Sequence, residues 1–246
     1  IRAEPLFRSR DYIDTNDIVK VASVQDKIIR AYKWDFSQYQ ENEKLMLTEI
    51  YDAIPTELEE KNKRFFINHI AGKKGFDRVK NNFLWLKNAG VAIPVYNVQE
   101  LRRPLVMSEK RNLFKLFYSD VGLLTSRYPV AVKYQILNRD TAIKNGGLFE
   151  NAVAQELHAK NISERYYNSK KYGELDFVIE VDGEIIPLEV KSGKMYKKHN
   201  ALQNVLDSHS ESIEYGIVFN NKNLEVNDRI LYAPIYMVMY IKEQEI

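Results

Sequence analysis

Apolar residues in the first part of the chain recur at helical spacing. The pattern runs from Asn16 to about Tyr96 and predicts successive helices followed by a strand at residues 91–98. Pro55 is expected to end one helix, a shorter helix is expected at residues 62–70, and Gly90 is expected to cap the last. Helices followed by a strand and a basic turn are typical of a winged helix-turn-helix.

After Leu113 the pattern becomes a mixture of strands and helices. Strands are predicted at residues 115–118, 165–167, 175–181, 184–191 and 215–219, and helices at 147–160 and 201–208, with a terminal helix or strand from residue 233. We therefore predict an α/β protein, α+β overall. A helical, winged-helix-like domain is expected over residues 1–112, and an α/β domain with a mixed central sheet over residues 113–246.

Two alternating runs in the second part meet at the dipeptide Asp182-Gly183. This dipeptide is a strong signal for a two-residue type I′ turn, which fixes the register of the strands on either side. In that register Asp176 lies opposite Glu189, and Glu174 lies opposite Lys191. Because side chains alternate along a strand, these four share one face, and the apolar residues of both strands occupy the other face as core.

Carboxylates that lie directly opposite each other destabilise a hairpin unless positive charge is placed between them. A divalent cation would supply that charge, and ligands made only of oxygen favour Mg²⁺ or Mn²⁺. Lys191 would then orient a metal-bound water or stabilise the transition state, so metal-assisted hydrolysis is the predicted reaction. The alternative is a solvated charged face in which Glu174 and Lys191 form an ordinary ion pair.

The composition limits the side chains that could bind a metal and indicates where the protein is located. Absence of cysteine excludes thiolate sites, and the four histidines do not form the HExxH pattern of zinc proteases. The longest apolar run, residues 230–241, is shorter than a membrane span, and no signal peptide is visible. We expect a soluble, cytoplasmic protein.

The net charge of +2 does not indicate nucleic-acid binding, but basic residues cluster locally. One cluster extends from Lys61 to Lys80, and another follows the second strand of the hairpin. The residues predicted to contact DNA are Lys73, Lys74, Arg78, Lys80, Lys194, Lys197 and Lys198. Both clusters are open to a second interpretation as solvated surface.

The segment GELDFVIEVDGEIIPLEVKSG resembles the motif of the PD-(D/E)XK nuclease superfamily, and GGLFENAVAQEL is similar to the opening helix of that fold. Together with KLFYSDVGLL, these segments resemble the C-terminal domain of unknown function in prokaryotic AAA-type ATPases. The resemblance implies a restriction endonuclease-like fold. It places Glu150 in the helix-acid position, Asp176 in the first-strand position, and Glu189 and Lys191 in the E-x-K positions. Glu150, Asp176 and Glu189 are the implied metal ligands, and all four residues are the implied catalytic set.

The ATPase core of those proteins requires the phosphate-binding pattern GxxxxGK[ST], which is missing from this sequence. No ATP site is therefore expected in this chain, and an ATPase core is the expected partner in the full-length protein. The leading hypothesis is a metal-dependent nuclease that acts on DNA. The alternatives are a catalytically inactive accessory module that docks DNA or a protein for the ATPase, and a domain that binds only protein. The sequence leaves the oligomeric state open.

Overall fold

The computed structural model describes residues 14–38, 41–60, 63–67, 76–138 and 145–242. The helices are α1 (Ile18–Phe36), α2 (Glu41–Glu59), α3 (Phe76–Asn88), α4 (Val121–Ser126), α5 (Val130–Leu137), α6 (Gly146–Ala159) and α7 (Asn200–Ser208), with 3-10 helices at Leu105–Ser108 and Ile235–Tyr240. The strands are β1 (Ala92–Val98), β2 (Glu109–Tyr118), β3 (Arg165–Ser169), β4 (Gly173–Val181), β5 (Glu184–Val190), β6 (Gly216–Asn220), β7 (Glu225–Asn227) and β8 (Ile230–Pro234).

The chain folds into two compact units that are interleaved along the sequence. The first combines residues 1–93 with 116–148, and the second combines residues 94–115 with 149–246. The predicted fold class is confirmed, since a helical N-terminal region precedes a mixed α/β region. The more specific assignment to a winged helix, and the division into domains at residues 112 and 113, stay predictions. None of the described helices combines the length and the apolar composition that a membrane crossing requires.

Within the described residues, eight strands form one mixed sheet in the order β2-β1-β3-β4-β5-β6-β8-β7. The three central strands β3, β4 and β5 are antiparallel, whereas β5 and β6 are parallel. The parallel connection is made through α7, as the geometry of a crossover requires. Leu202 and Val205 of α7 are fully buried and belong to the core cluster of the second unit, together with Val178 and Ile185 from the hairpin.

The predicted hairpin register is confirmed from the turn as far as the pair Phe177 and Leu188, and the predicted pairs Asp176–Glu189 and Glu174–Lys191 lie beyond the paired residues. Val181 pairs with Glu184 and Phe177 pairs with Leu188, as the two-residue turn requires. Asp182 and Gly183 both have positive φ angles, 52° and 75°, which is the signature of a type I′ turn.

Most predicted elements are present with shifted ends. The strand predicted at residues 115–118 is the last part of the longer β2, and the terminal segment is a strand followed by a 3-10 helix. The helix predicted at residues 62–70 lies largely outside the described residues, and residues 63–66 are not helical.

The prediction that Pro55 ends a helix is wrong, because α2 continues to Glu59. Proline removes the N–H that would donate to the carbonyl four residues earlier, here that of Tyr51. In the structure the Tyr118 hydroxyl donates to this carbonyl at 2.9 Å. The side chain of Tyr118 thus replaces the missing backbone donor, and the ring of Tyr118 packs on the ring of Tyr51 at a centroid distance of 4.6 Å.

We predict that Tyr118→Phe lowers the free energy of unfolding by about 1–3 kcal/mol, because the buried carbonyl of Tyr51 loses its donor. The loss should be smaller in a Pro55→Ala background, where residue 55 regains an N–H. Urea unfolding of the single and double variants measures both effects. Tyr128→Phe is the matched control, since its hydrogen bond to Glu59 lies at the surface and should contribute about 0.5 kcal/mol or less. Equal losses in both backgrounds would contradict this role of Tyr118.

Candidate active site

Asp176 connects β4 to β5 at the end of the sheet farthest from the turn. The paired register runs as far as Phe177 and Leu188. One step beyond, the backbone N–H of Val190 donates to Oδ2 of Asp176 at 2.8 Å. A carboxylate therefore takes the place of a strand carbonyl as the acceptor, and this contact fixes the orientation of the Asp176 side chain.

Glu189 lies beside Asp176 and is almost completely buried, with 3% of its surface exposed. The Nζ atom of Lys191 donates to Oε2 of Glu189 at 2.6 Å. Burial and the neighbouring Asp176 carboxylate raise the pKa of Glu189 to about 8, although the Lys191 ammonium acts in the opposite direction. The contacts therefore bring these three side chains together, which the sequence alone did not show.

The structure adds a residue that sequence reasoning missed, Lys115 of β2. Its side chain is completely buried. Its Nζ atom lies 2.9 Å from Oε1 of Glu174, 3.7 Å from Oε2 of Glu150 and 3.9 Å from Oδ1 of Asp176. The signal in the sequence was a single lysine inside the otherwise apolar run Leu113–Tyr118. A lysine in such a run is rarely buried unless it is paired.

The carboxylates around Lys115 decide its protonation state. Burial by itself lowers the pKa of this lysine, but the carboxylates of Glu150, Asp176 and Glu174 outweigh burial and raise the pKa above its usual value. The ammonium also lies 5.2 Å from the centroid of the Tyr166 ring on β3. Lys115 is therefore a permanent buried cation at neutral pH.

Glu150 reaches the cluster from α6, and Glu174 from the start of β4. Glu150 is 1% exposed and is placed next to Lys115, so the predicted helix acid does lie with the hairpin acids. Glu174 is about a quarter exposed at its side chain and accepts a second hydrogen bond, from Nδ2 of Asn168 at 2.8 Å. Four carboxyl groups from three elements therefore surround two ammonium groups.

The sequence predicted that core residues occupy only the other face of the hairpin. In the structure, the face that carries these acids also carries core residues. Asp176 shares its face of β4 with Val178, which is completely buried and belongs to the same core cluster as Leu202 of α7. The acids of the cluster lie at the end of this face where α7 begins, whereas Glu180 lies on the same face near the turn. The chemistry is thus confined to one end of a sheet whose hairpin is buried on both faces.

Asp176 and Glu189 are the two side chains that could hold a divalent cation. Among the described residues, no group of three or more acidic or histidine side chains is placed to hold a metal ion. However, Mg²⁺ is usually bound by one or two carboxylates and completes its shell with water and substrate phosphate. The cluster also has two more carboxyl groups than ammonium groups. Burial is the main cause of the raised pKa of Glu189, and the Asp176 carboxylate raises it further.

The predicted DNA-contacting residues lie in different surroundings. Lys194 and Lys198 are exposed in the loop after β5, whereas Nζ of Lys197 is paired with Oε1 of Glu225 at 2.6 Å. Lys80 is exposed on α3. Arg78 lies in α3, but its side chain is outside the described residues, as are Lys73 and Lys74 altogether. Of the seven predicted residues, the structure describes the side chains of Lys80, Lys194, Lys197 and Lys198.

Comparison with known families identifies both parts of the chain. Residues 10–133, about half of the chain, match the model of a domain of unknown function, DUF8612. The chain belongs to this family. In this DUF8612 protein, residues 145–238 also match a second domain of unknown function, DUF4143. The second match covers α6 and the acidic hairpin but not Lys115, which lies within the DUF8612 match.

DUF4143 is known from proteins associated with AAA-type ATPases, which agrees with the resemblance seen in the sequence motifs. The nuclease superfamily itself is not among the matching families. No curated protein and no solved structure matches the chain significantly.

The pKa of Glu189 predicts a pH dependence of stability. Because the folded pKa of about 8 exceeds the unfolded value, the folded state retains a proton that the unfolded state has lost. The free energy of unfolding should therefore fall as the pH rises from about 5 to 8 and level off above that range. Urea unfolding in EDTA should show a flatter profile for Glu189→Gln. Glu211→Gln, an exposed control, should keep the wild-type slope, and parallel profiles for Glu189→Gln and wild type would contradict the assignment.

Proposed function

We propose that the chain is a divalent-metal-dependent phosphodiesterase module that acts on DNA. The observation that carries this proposal is the adjacent pair of carboxyl groups of Glu189, which is buried, and Asp176, which is partly buried, with the ammonium of Lys191 at 2.6 Å from Glu189. The four carboxyl groups of the cluster outnumber its two ammonium groups, which is the condition that favours a cation.

In the proposed reaction Asp176 and Glu189 would hold one Mg²⁺ or Mn²⁺ ion, which would activate water and neutralise charge on the phosphodiester. The N–H of Val190 keeps the Asp176 carboxylate in a fixed orientation, which reduces the cost of assembling the site.

Lys191 has a separate role in this proposal. Its ammonium is partly exposed, with 29% of the side chain accessible, so it can contact a phosphate oxygen while it remains next to Glu189. Such a contact stabilises the negative charge that develops on the phosphoryl group. Lys194 and Lys198 are exposed in the loop that follows and would hold the DNA backbone without reading its sequence.

A second function is favoured by the position of Lys115. This buried ammonium already compensates Glu150, Glu174 and part of the charge of Asp176 without any metal. A nuclease fold stabilised in this way could serve as an accessory module that docks DNA or a protein for an ATPase without turnover. The match to DUF4143, a domain associated with AAA-type ATPases, supports an ATPase as the partner of both the nuclease and the accessory module.

The activity is tested with supercoiled plasmid and branched DNA in the presence of Mg²⁺, Mn²⁺ or EDTA. We predict metal-dependent cleavage that falls by about a hundredfold or more in Asp176→Asn and in Lys191→Ala. Asp207→Asn is the matched control, because Asp207 is exposed on α7, where it accepts a hydrogen bond from Gln203. The control should cleave at the wild-type rate.

The alternatives give different results in the same experiments. Cleavage that persists in Lys191→Ala would come from a contaminant and would contradict the proposed role of the site. Calorimetry separates the remaining cases: salt-dependent DNA binding without metal binding supports the accessory module. Binding of neither metal nor DNA supports a domain that interacts only with protein.

A further inference from the structure

The acidic cluster divides into two halves, each with its own lysine. Lys115 lies nearest to Glu174 and Glu150, at 2.9 and 3.7 Å. Lys191 lies 2.6 Å from Glu189. Asp176 is shared, since one of its oxygens is 3.9 Å from Lys115 and the other accepts the N–H of Val190.

The two lysines differ in their freedom to move. Lys191 is partly exposed and can turn toward solvent or substrate. Lys115 has no exposed surface and comes from β2, inside an apolar stretch, so its ammonium cannot reach water without opening the sheet. A charged group in such a place stays where its counterions are, because separating them would leave an uncompensated buried charge.

We propose that Lys115 is a built-in cation that takes the place of a second metal ion. It keeps Glu150 and Glu174 engaged, so that Asp176 and Glu189 alone remain for a divalent ion and the site holds one metal rather than two. Lys115 is thus a positioning residue. This inference rests on the proposed function, because it concerns how many metal ions the same acids can accept.

A purely structural ion pair would behave differently. Removal of Lys115 would then lower stability and leave the number of bound ions unchanged. If Lys115 instead stands in for a metal, its removal leaves Glu150 and Glu174 with negative charge that a second divalent ion can compensate. The number of bound ions therefore distinguishes the two roles, independently of catalytic activity.

The test counts Mn²⁺ ions bound to the full chain by electron paramagnetic resonance. We predict one ion per chain for the wild type and two for Lys115→Met, which keeps the length of the side chain and removes its charge. Lys115→Arg retains the charge and should bind one Mn²⁺ ion per chain. The double variant Lys115→Met with Glu150→Gln should also bind one. Lys110→Met, an exposed position on the same strand, is the control and should bind one ion.

The outcomes separate this inference from the proposed function. A wild type that binds no Mn²⁺ contradicts the proposed function, but a gain of one ion in Lys115→Met still supports the role of Lys115. A folded Lys115→Met variant with the wild-type count overturns the inference. If that variant is unfolded without metal, thermal melting decides: Mn²⁺ should restore folding, and should fail to do so when Glu150→Gln is added. Absence of any rescue by Mn²⁺ also overturns it.

Discussion

The burial of several carboxyl groups at one end of a sheet is the constraint on which the rest of the site depends. Ionised acids cannot share a pocket that water does not reach unless positive charge lies among them. Lys115 and Lys191 supply that charge from two different strands, and Lys115 contacts acids from α6 and β4. These ion pairs therefore connect elements that are far apart in sequence. The carboxyl groups that the two lysines leave uncompensated are where a cation can bind.

The hairpin could be predicted from sequence because its determinants are local. Asp182 and Gly183 select the turn, the turn sets the register, and the alternation of side chains then places Asp176 beside Glu189. The same reasoning placed Lys191 near the acids. Glu150 was placed by resemblance to a family motif, and its contact with Lys115 puts it in the same cluster.

The features that could not be predicted depend on contacts between distant segments. Lys115 lies far from the hairpin in sequence. The pattern of residues around Lys115 does not indicate that its ammonium contacts Glu174. By local rules Pro55 should break a helix. The Tyr118 hydroxyl replaces the missing N–H, because it donates to the carbonyl of Tyr51. Lys197 was predicted to contact DNA, but in the structure its ammonium is paired with Glu225.

Lys115, charged and buried among acids, holds the candidate site together. The most direct test follows the Nζ resonance of Lys115 by ¹⁵N nuclear magnetic resonance during a pH titration. Lys115 should remain an ammonium after exposed lysines have lost their protons at a pH of about 10.4. Deprotonation of Lys115 below the pH at which the exposed lysines titrate would contradict this role, since a neutral amine could not balance Glu150, Glu174 and Asp176.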